Sequence, residues 1–191
     1  LVNTPPGLSV AAAIVQYRNN PNVVYAEPDY FVSVVQTTPN DTRWTDQWDM
    51  TKISAPLSWD TQTSASSLVV AIVDTGVDET HPDLAANIWT NTGEIPGNGI
   101  DDDGNGYVDD VRGWDFYSND NDPVDDHFHG THCAGTIGAV GNNTQGVAGV
   151  CWAVSIMPLK FLASNGSGFT SDAVRAVSYA TRMHARLTSN S

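Results

Sequence analysis

Leu68-Val69-Val70-Ala71-Ile72-Val73-Asp74-Thr75-Gly76 joins six unbroken apolar residues to a polar turn. A strand that is apolar on both faces is buried on both faces, which suits the centre of a parallel sheet better than an exposed antiparallel one. Working outward, Thr131 to Val140 is small and apolar and follows a glycine, as a tightly packed helix does. Val154 to Leu162 reads as a second strand. Thr170 or Ser171 can cap a helix running to about Arg186, with Val174, Val177 and Ala180 on one face. Strand, helix, strand, helix predicts an α/β fold, a mainly parallel sheet layered between helices. Upstream, Leu8 to Arg18 has helical spacing, Asn19-Asn20-Pro21-Asn22 stops it, and Val23 to Val35 predicts one or two short strands around Pro28. Thr37-Thr38-Pro39-Asn40-Asp41 is a candidate linker, which divides the chain into 1–37 and 38–191.

The chain has 191 residues and a formal net charge of −14, with 22 acidic side chains against 8 basic. Nineteen of the acids are Asp, and ten of those fall between Asp101 and Asp126, where Arg112 is the only Lys or Arg. Nucleic acid and anionic membranes reward Lys and Arg, so neither is expected as a partner. No run approaches the ~20 apolar residues of a membrane span. Two cysteines, Cys133 and Cys151, are too few for a disulfide scaffold. Leu1 opens without a signal-peptide pattern, and the polar Thr188-Ser189-Asn190-Ser191 follows directly on a helical pattern, so an internal piece of a longer protein is expected.

Two places can carry chemistry. Asp74 stands at the C-terminal end of the buried strand, the edge where open α/β sheets place their sites. An aspartic-protease reading of Asp-Thr-Gly needs a second such motif or a homodimer, and Asp74-Thr75-Gly76 occurs once. His129-Gly130-Thr131-His132-Cys133-Ala134-Gly135 puts a histidine at the first turn of the small-residue helix. Zinc is disfavoured, because no Glu sits between His127, His129 and His132 in the His-Glu-x-x-His manner.

Val70-Ala71-Ile72-Val73-Asp74-Thr75-Gly76-Val77-Asp78 with His81-Pro82-Asp83-Leu84, followed by His129-Gly130-Thr131-His132, resembles the subtilisin-like serine proteases, or subtilases. The resemblance implies a subtilisin-like α/β three-layer sandwich, incomplete here, and a peptidase that hydrolyses peptide bonds through Asp, His and Ser. It casts Asp74 as the residue that orients the imidazole and His129 as general base and then acid. The family's serine lies in Gly-Thr-Ser-Met-Ala, and no Gly-Thr-Ser occurs in these residues, so the chain alone is expected to be inactive. Gly166-Ser167-Gly168 resembles the edge segment whose backbone pairs with an extended substrate, and a flexible turn is its other reading. Thr188 to Ser191 corresponds to the start of the strand lining the specificity pocket. His127-Phe128 stands where the family usually has a small residue before the catalytic His, which bears on substrate preference. Cys133 resembles the buried free thiol of one subtilase branch.

Pro21 to Tyr30 is similar to the C-terminal half of the subtilase propeptide, part of a small α+β domain. This implies an intramolecular inhibitor, a cut between about Gln36 and Pro39, and a secreted zymogen. Calcium is expected for two reasons. Asp101-Asp102-Asp103-Gly104-Asn105-Gly106 offers hard oxygen ligands at Asp101, Asp103 and Asn105, as in the first half of an EF-hand loop. The second half fails, since Arg112 stands where a bidentate Glu belongs; Asp109 or Asp110 could substitute by a different path, and a solvated acidic loop is the other reading. Resemblance to the thermitase-like branch further implies a site made by Asp41, Asp83 and Asn143 with the carbonyls of Val140, Gln145 and Val147, and a weaker one using Asp115, Asp120 and Asp122. The contrasting expectation is a non-catalytic, calcium-binding scaffold with the same fold.

Overall fold

The computed structural model describes residues 2–32 and 36–191. Two compact units divide the chain, Leu1–Val35 and Gln36–Ser191. In the first unit, helix α1 spans Val10–Arg18, with the Ser9 hydroxyl accepting the Ala12 N–H at 3.2 Å as its N-cap. The Arg18 guanidinium donates to the Ala26 carbonyl at 3.1 Å. The strands expected from Val23 onward are not present in residues 23–32, and residues 33–35 lie outside the described ones. An extended segment becomes a strand only when a neighbour completes its ladder. Here the segment pairs with no strand among the described residues, and Val24 and Phe31 are almost wholly exposed.

The second unit begins with helices α2 (Trp48–Lys52) and α3 (Ala55–Trp59), neither of which the sequence reading anticipated. They bury Met50, Ala55 and Trp59 against Ala148, with Trp44 and Trp152 packed alongside. Strand β1 (Ser64–Asp74), strand β2 (Trp114–Asp115), helix α4 (His129–Gly138), strand β3 (Ala153–Lys160), helix α5 (Thr170–Arg182) and strand β4 (Leu187–Asn190) follow. The sheet order is β2-β3-β1-β4 and every pairing is parallel. The α/β layering expected from the sequence is therefore the observed fold.

Period two along β1 explains the layers. Ala71 and Val73 face a core shared with Met157, Leu159, Ala176, Tyr179 and Ala180, which is the α5 side. Val70 and Ile72 face Val77, Leu84, Ala134, Val154 and Ile156, which is the α4 side. Both faces are covered, so an unbroken apolar run is what the position requires. Gly138 lets α4 approach closely, because a Cβ there would strike the Val154 side chain.

Helix α5 differs from expectation in three ways. It ends at Arg182, and His184 takes φ +60° in the turn that leads to β4. Phe169 is its N-cap without a side-chain cap bond, so neither Thr170 nor Ser171 caps it. Its buried face is Asp172, Ala176, Tyr179 and Ala180, while Val174 and Val177 are exposed. Small alanines let the helix settle on the sheet and leave room for the Tyr179 ring, which outweighs the greater hydrophobicity of valine.

Candidate active site

Strand β1 delivers Asp74 to the C-terminal edge of the sheet, paired with Lys160 of β3. Its carbonyl accepts the N–H groups of Phe161 and Leu162 at 2.9 and 3.3 Å, which fixes the strand end. The carboxylate is 1% exposed and accepts the Thr75 N–H at 2.7 Å. His129 opens α4, and its Nδ1 lies 2.9 and 3.0 Å from the two carboxylate oxygens of Asp74. A carboxylate only accepts, so Nδ1 carries the proton and donates it. That leaves Nε2 with a free lone pair on a side chain 47% exposed. A neutral imidazole held this way can take a proton at Nε2, and the buried anion behind it stabilises the resulting cation.

Cys133, one turn along α4, has its Sγ 3.9 Å from the same Nδ1. Burial, followed by the Asp74 charge, pushes its thiol pKa up, so it stays protonated. With Nδ1 already committed to Asp74, it is no cysteine nucleophile. Cys133 and Cys151 are both free thiols.

The pair depends on two backbones passing close together. A Cβ at Gly130 would strike the Gly76 carbonyl oxygen and lie 3.1 Å from the Asp74 Cβ. Gly130→Ala is thus expected to destabilise the unit by about 1–3 kcal/mol through overpacking. A thermal melt of the full-length protein checks this, and an unchanged midpoint would mean that the helix start has room to move.

Gly166, Ser167 and Gly168 close a hairpin that leaves β3 beside the Asp74 edge. Gly168 bridges antiparallel to Leu162, Ala163 N–H donates to the Ser167 carbonyl at 2.9 Å, and Gly166 N–H donates to the Ala163 carbonyl at 2.8 Å. Gly166 has φ +75°, and a Cβ there would lie 3.5 Å from the His127 ring, so the hairpin stands next to the His127–His129 segment. His127 and Phe128 stack at 4.4 Å.

Two carboxylates and an amine near the pair went unnoticed in the sequence. Asp125 accepts from the N–H groups of His127, Phe128 and Thr131 and from the hydroxyls of Thr75 and Thr131. Burial alone would raise its pKa. The N–H of Phe128, the hydroxyl and N–H of Thr131 and the N–H of His127 together outweigh burial and lower it to about 2. Lys160, almost wholly buried, donates to the Thr75 carbonyl at 2.6 Å and to Asp126 at 2.5 Å.

Of the predicted metal ligands, Asp41, Asp83 and Asn143 come together. Both carboxylates are buried. Asp41 accepts from the N–H groups of Asn142 and Asn143 at 2.7 and 3.4 Å, and Asp83 accepts from the Asn143 amide at 2.7 Å and the Val147 N–H at 2.8 Å. Val140 N–H donates to the Asp83 carbonyl at 2.8 Å, and Gln145 N–H to the Asn143 side chain at 2.8 Å. Two buried anions from separate segments held against one loop, with no Lys or Arg among these partners, make a charge arrangement that a hard divalent cation would neutralise. Asp101 and Asp103 also converge, joined by the buried Glu94, their oxygens within 4.8 Å of one another. Asn105 adjoins them, its N–H donating to Asp101 at 3.0 Å and to Asp103 at 2.9 Å. Glu94 was missed because nothing about a lone Glu seven residues before the Asp run marks it. Asp115 and Asp120 stand opposite each other, joined by reciprocal backbone bonds at 2.9 and 3.1 Å, but among the described residues their carboxylates and that of Asp122 form no shared cluster. The Asp115 carboxylate instead caps the Tyr117 and Ser118 N–H groups at 2.7 and 2.9 Å, and the Asp120 carboxylate caps the Asp122 N–H at 3.1 Å, so these two each serve their own turn. Burial raises the Asp115 pKa.

Residues 65–191 match the profile of the subtilase family, and residues 1–29 match the fervidolysin N-terminal prodomain. Thermophilic serine proteinase of Bacillus sp. (strain AK1) is 36% identical over 173 residues, 90% of this chain and 37% of that protein. Thermitase of Thermoactinomyces vulgaris is 37% identical over 153 residues, 80% of this chain and 47% of that protein. The chain thus spans less than half the length of these curated relatives. Among solved structures, a protease of Pseudoalteromonas arctica PAMC 21717 superposes with a TM-score of 0.59 at 32% identity, covering 75% of this chain and 44% of that one.

Proposed function

The chain belongs to the subtilase family, and from that premise we propose that its parent protein is a secreted serine endopeptidase. Asp74 and His129 are two of its three catalytic residues. The observation that carries this reading is the 2.9 Å contact between His129 Nδ1 and a carboxylate almost closed to solvent. His129 Nε2 takes the proton from a serine hydroxyl as it attacks the scissile carbonyl, then returns it to the leaving amine, while Asp74 holds the imidazole and offsets its charge. The serine is contributed from outside residues 1–191, since no Gly-Thr-Ser occurs within them. The exposed hairpin at Gly166–Gly168 offers backbone to an extended peptide.

Residues 1–37 act as propeptide and inhibitor of the unit from 38 onward, a role supported by the prodomain match. The buried Asp41–Asp83 pair with Asn143, aided by carbonyls of Val140, Gln145 and Val147, would hold calcium. Glu94, Asp101, Asp103 and Asn105 would hold a second ion. In both places the ion would neutralise packed carboxylates and so secure the fold. The function is tested by incubating the full-length protein with an unstructured protein substrate. Hydrolysis that a serine-directed reagent abolishes is expected. A folded protein that binds calcium and hydrolyses nothing would be the scaffold instead.

A further inference from the structure

The start of α4 is unusual in two respects. Its N-cap residue is Phe128, which makes no side-chain cap bond, and its φ is +114°, a value L side chains rarely adopt. His129 follows at once, so the direction in which the imidazole leaves the backbone is set by this strained residue. What holds it there is Asp125, three residues earlier. One carboxylate oxygen accepts the His127 N–H at 2.9 Å, the Phe128 N–H at 3.0 Å and the Thr75 hydroxyl at 2.8 Å. The other accepts the Thr131 N–H at 2.9 Å and its hydroxyl at 2.6 Å.

These bonds reach both halves of the pair. Thr75 is the residue after Asp74, and its hydroxyl oxygen in turn accepts the Gly130 N–H at 3.0 Å, the residue after His129. The Thr131 hydroxyl accepts the Asp78 N–H at 2.9 Å. Lys160 Nζ donates to the Thr75 carbonyl at 2.6 Å and holds that residue's backbone as well. Asp125 therefore sits where the strand end that carries Asp74 and the helix start that carries His129 are tied together, and it touches neither reacting group.

We propose that Asp125 is a positioning residue, which holds Phe128 in left-handed backbone and so keeps His129 Nδ1 on Asp74. Five donors on one carboxylate stabilise a backbone conformation that Phe would otherwise leave. An isosteric amide cannot replace it, because one end of Asn is a donor and would face donors. The inference rests on the catalytic reading of Asp74 and His129, and its test separates the two.

In the full-length protein, Asp125→Asn is expected to lower kcat about 10–100-fold with KM changed less than about threefold, since misplacement of about 1 Å costs this much. The far-downfield proton resonance of His129 Nδ1–H, which reports the Asp74 bond without needing the nucleophile, should shift upfield or vanish. Adding Phe128→Gly, which tolerates this φ without strain, should restore part of both signals. If Asp125→Asn alone does not fold, the comparison of Phe128→Gly with Asp125→Asn/Phe128→Gly carries the same readouts. A folded Asp125→Asn protein with unchanged kcat and resonance overturns the proposal, and so does a loss confined to KM or untouched by Phe128→Gly. Wild-type protein that shows the resonance and no hydrolysis would instead overturn the peptidase reading, while the resonance still decides the role of Asp125.

Discussion

Asp74→Asn in the full-length protein is expected to lower kcat about 10⁴-fold, and His129→Ala about 10⁶-fold, with KM and folding little changed. The first loss follows from hydrogen-bond polarity. Asp74 accepts from both the Thr75 N–H and His129 Nδ1. In the variant the Asn oxygen stays on the Thr75 N–H and the amide NH₂ turns toward Nδ1. The imidazole then holds its proton on Nε2, where it can no longer accept one from a nucleophile. Shape and burial are preserved, so the melting temperature should move by no more than a few degrees. Steady-state kinetics on a peptide substrate, read beside a thermal melt, checks both statements. Turnover near wild type in either variant would remove Asp74 and His129 from the mechanism.

Chelation of calcium should lower the melting temperature of the mature unit by about 5–10 °C. A ligand bound only by the native state at about 100 times its Kd adds roughly 2.7 kcal/mol, and each kcal/mol moves the midpoint of a unit this size by about 2–4 °C. The Asp41 carboxylate bonds the 142–143 backbone and the Asp83 carboxylate bonds Asn143 and Val147, so both charges are held against one loop. Arg43 N–H also donates to the Gly146 carbonyl at 2.8 Å, which ties the segment after Asn40 to that loop. Without the ion, two buried anions share the loop with only N–H groups and an amide to offset them, and loosening there should free both segments. A melting curve in chelator that overlays the curve in calcium would remove the metal from the account.

What the sequence disclosed follows from range. Strand β1 and the edge position of Asp74 were legible because burial on both faces writes itself into a continuous run. The small residues that follow His129 were legible because at Gly130 and Gly138 close packing permits nothing larger. The strands expected across 23–32 failed because a strand is a property of two segments, and the sequence describes one. Val174 and Val177 misled because hydrophobicity ranks side chains, while the helix face is chosen by what fits against the sheet. Asp125 was hidden within an Asp-rich stretch, where a carboxylate that braces a helix start has the same letter as one that caps its own turn. Asp115, Asp120 and Asp122 show the converse, since close spacing in sequence gave two carboxylates that cap local backbone and no common site. Asp41, Asp83 and Asn143 lie far apart in the chain, and only resemblance to a family grouped them.

A serine activated by the Asp74–His129 pair should react with an electrophilic phosphonate far faster than any other serine of the protein. The direct measurement is labelling of the full-length protein with a fluorophosphonate, followed by identification of the modified residue in wild type and in His129→Ala. One serine outside residues 1–191 should be labelled rapidly in wild type and scarcely at all in the variant. No labelling of the wild type, or equal labelling of both proteins, would contradict the account.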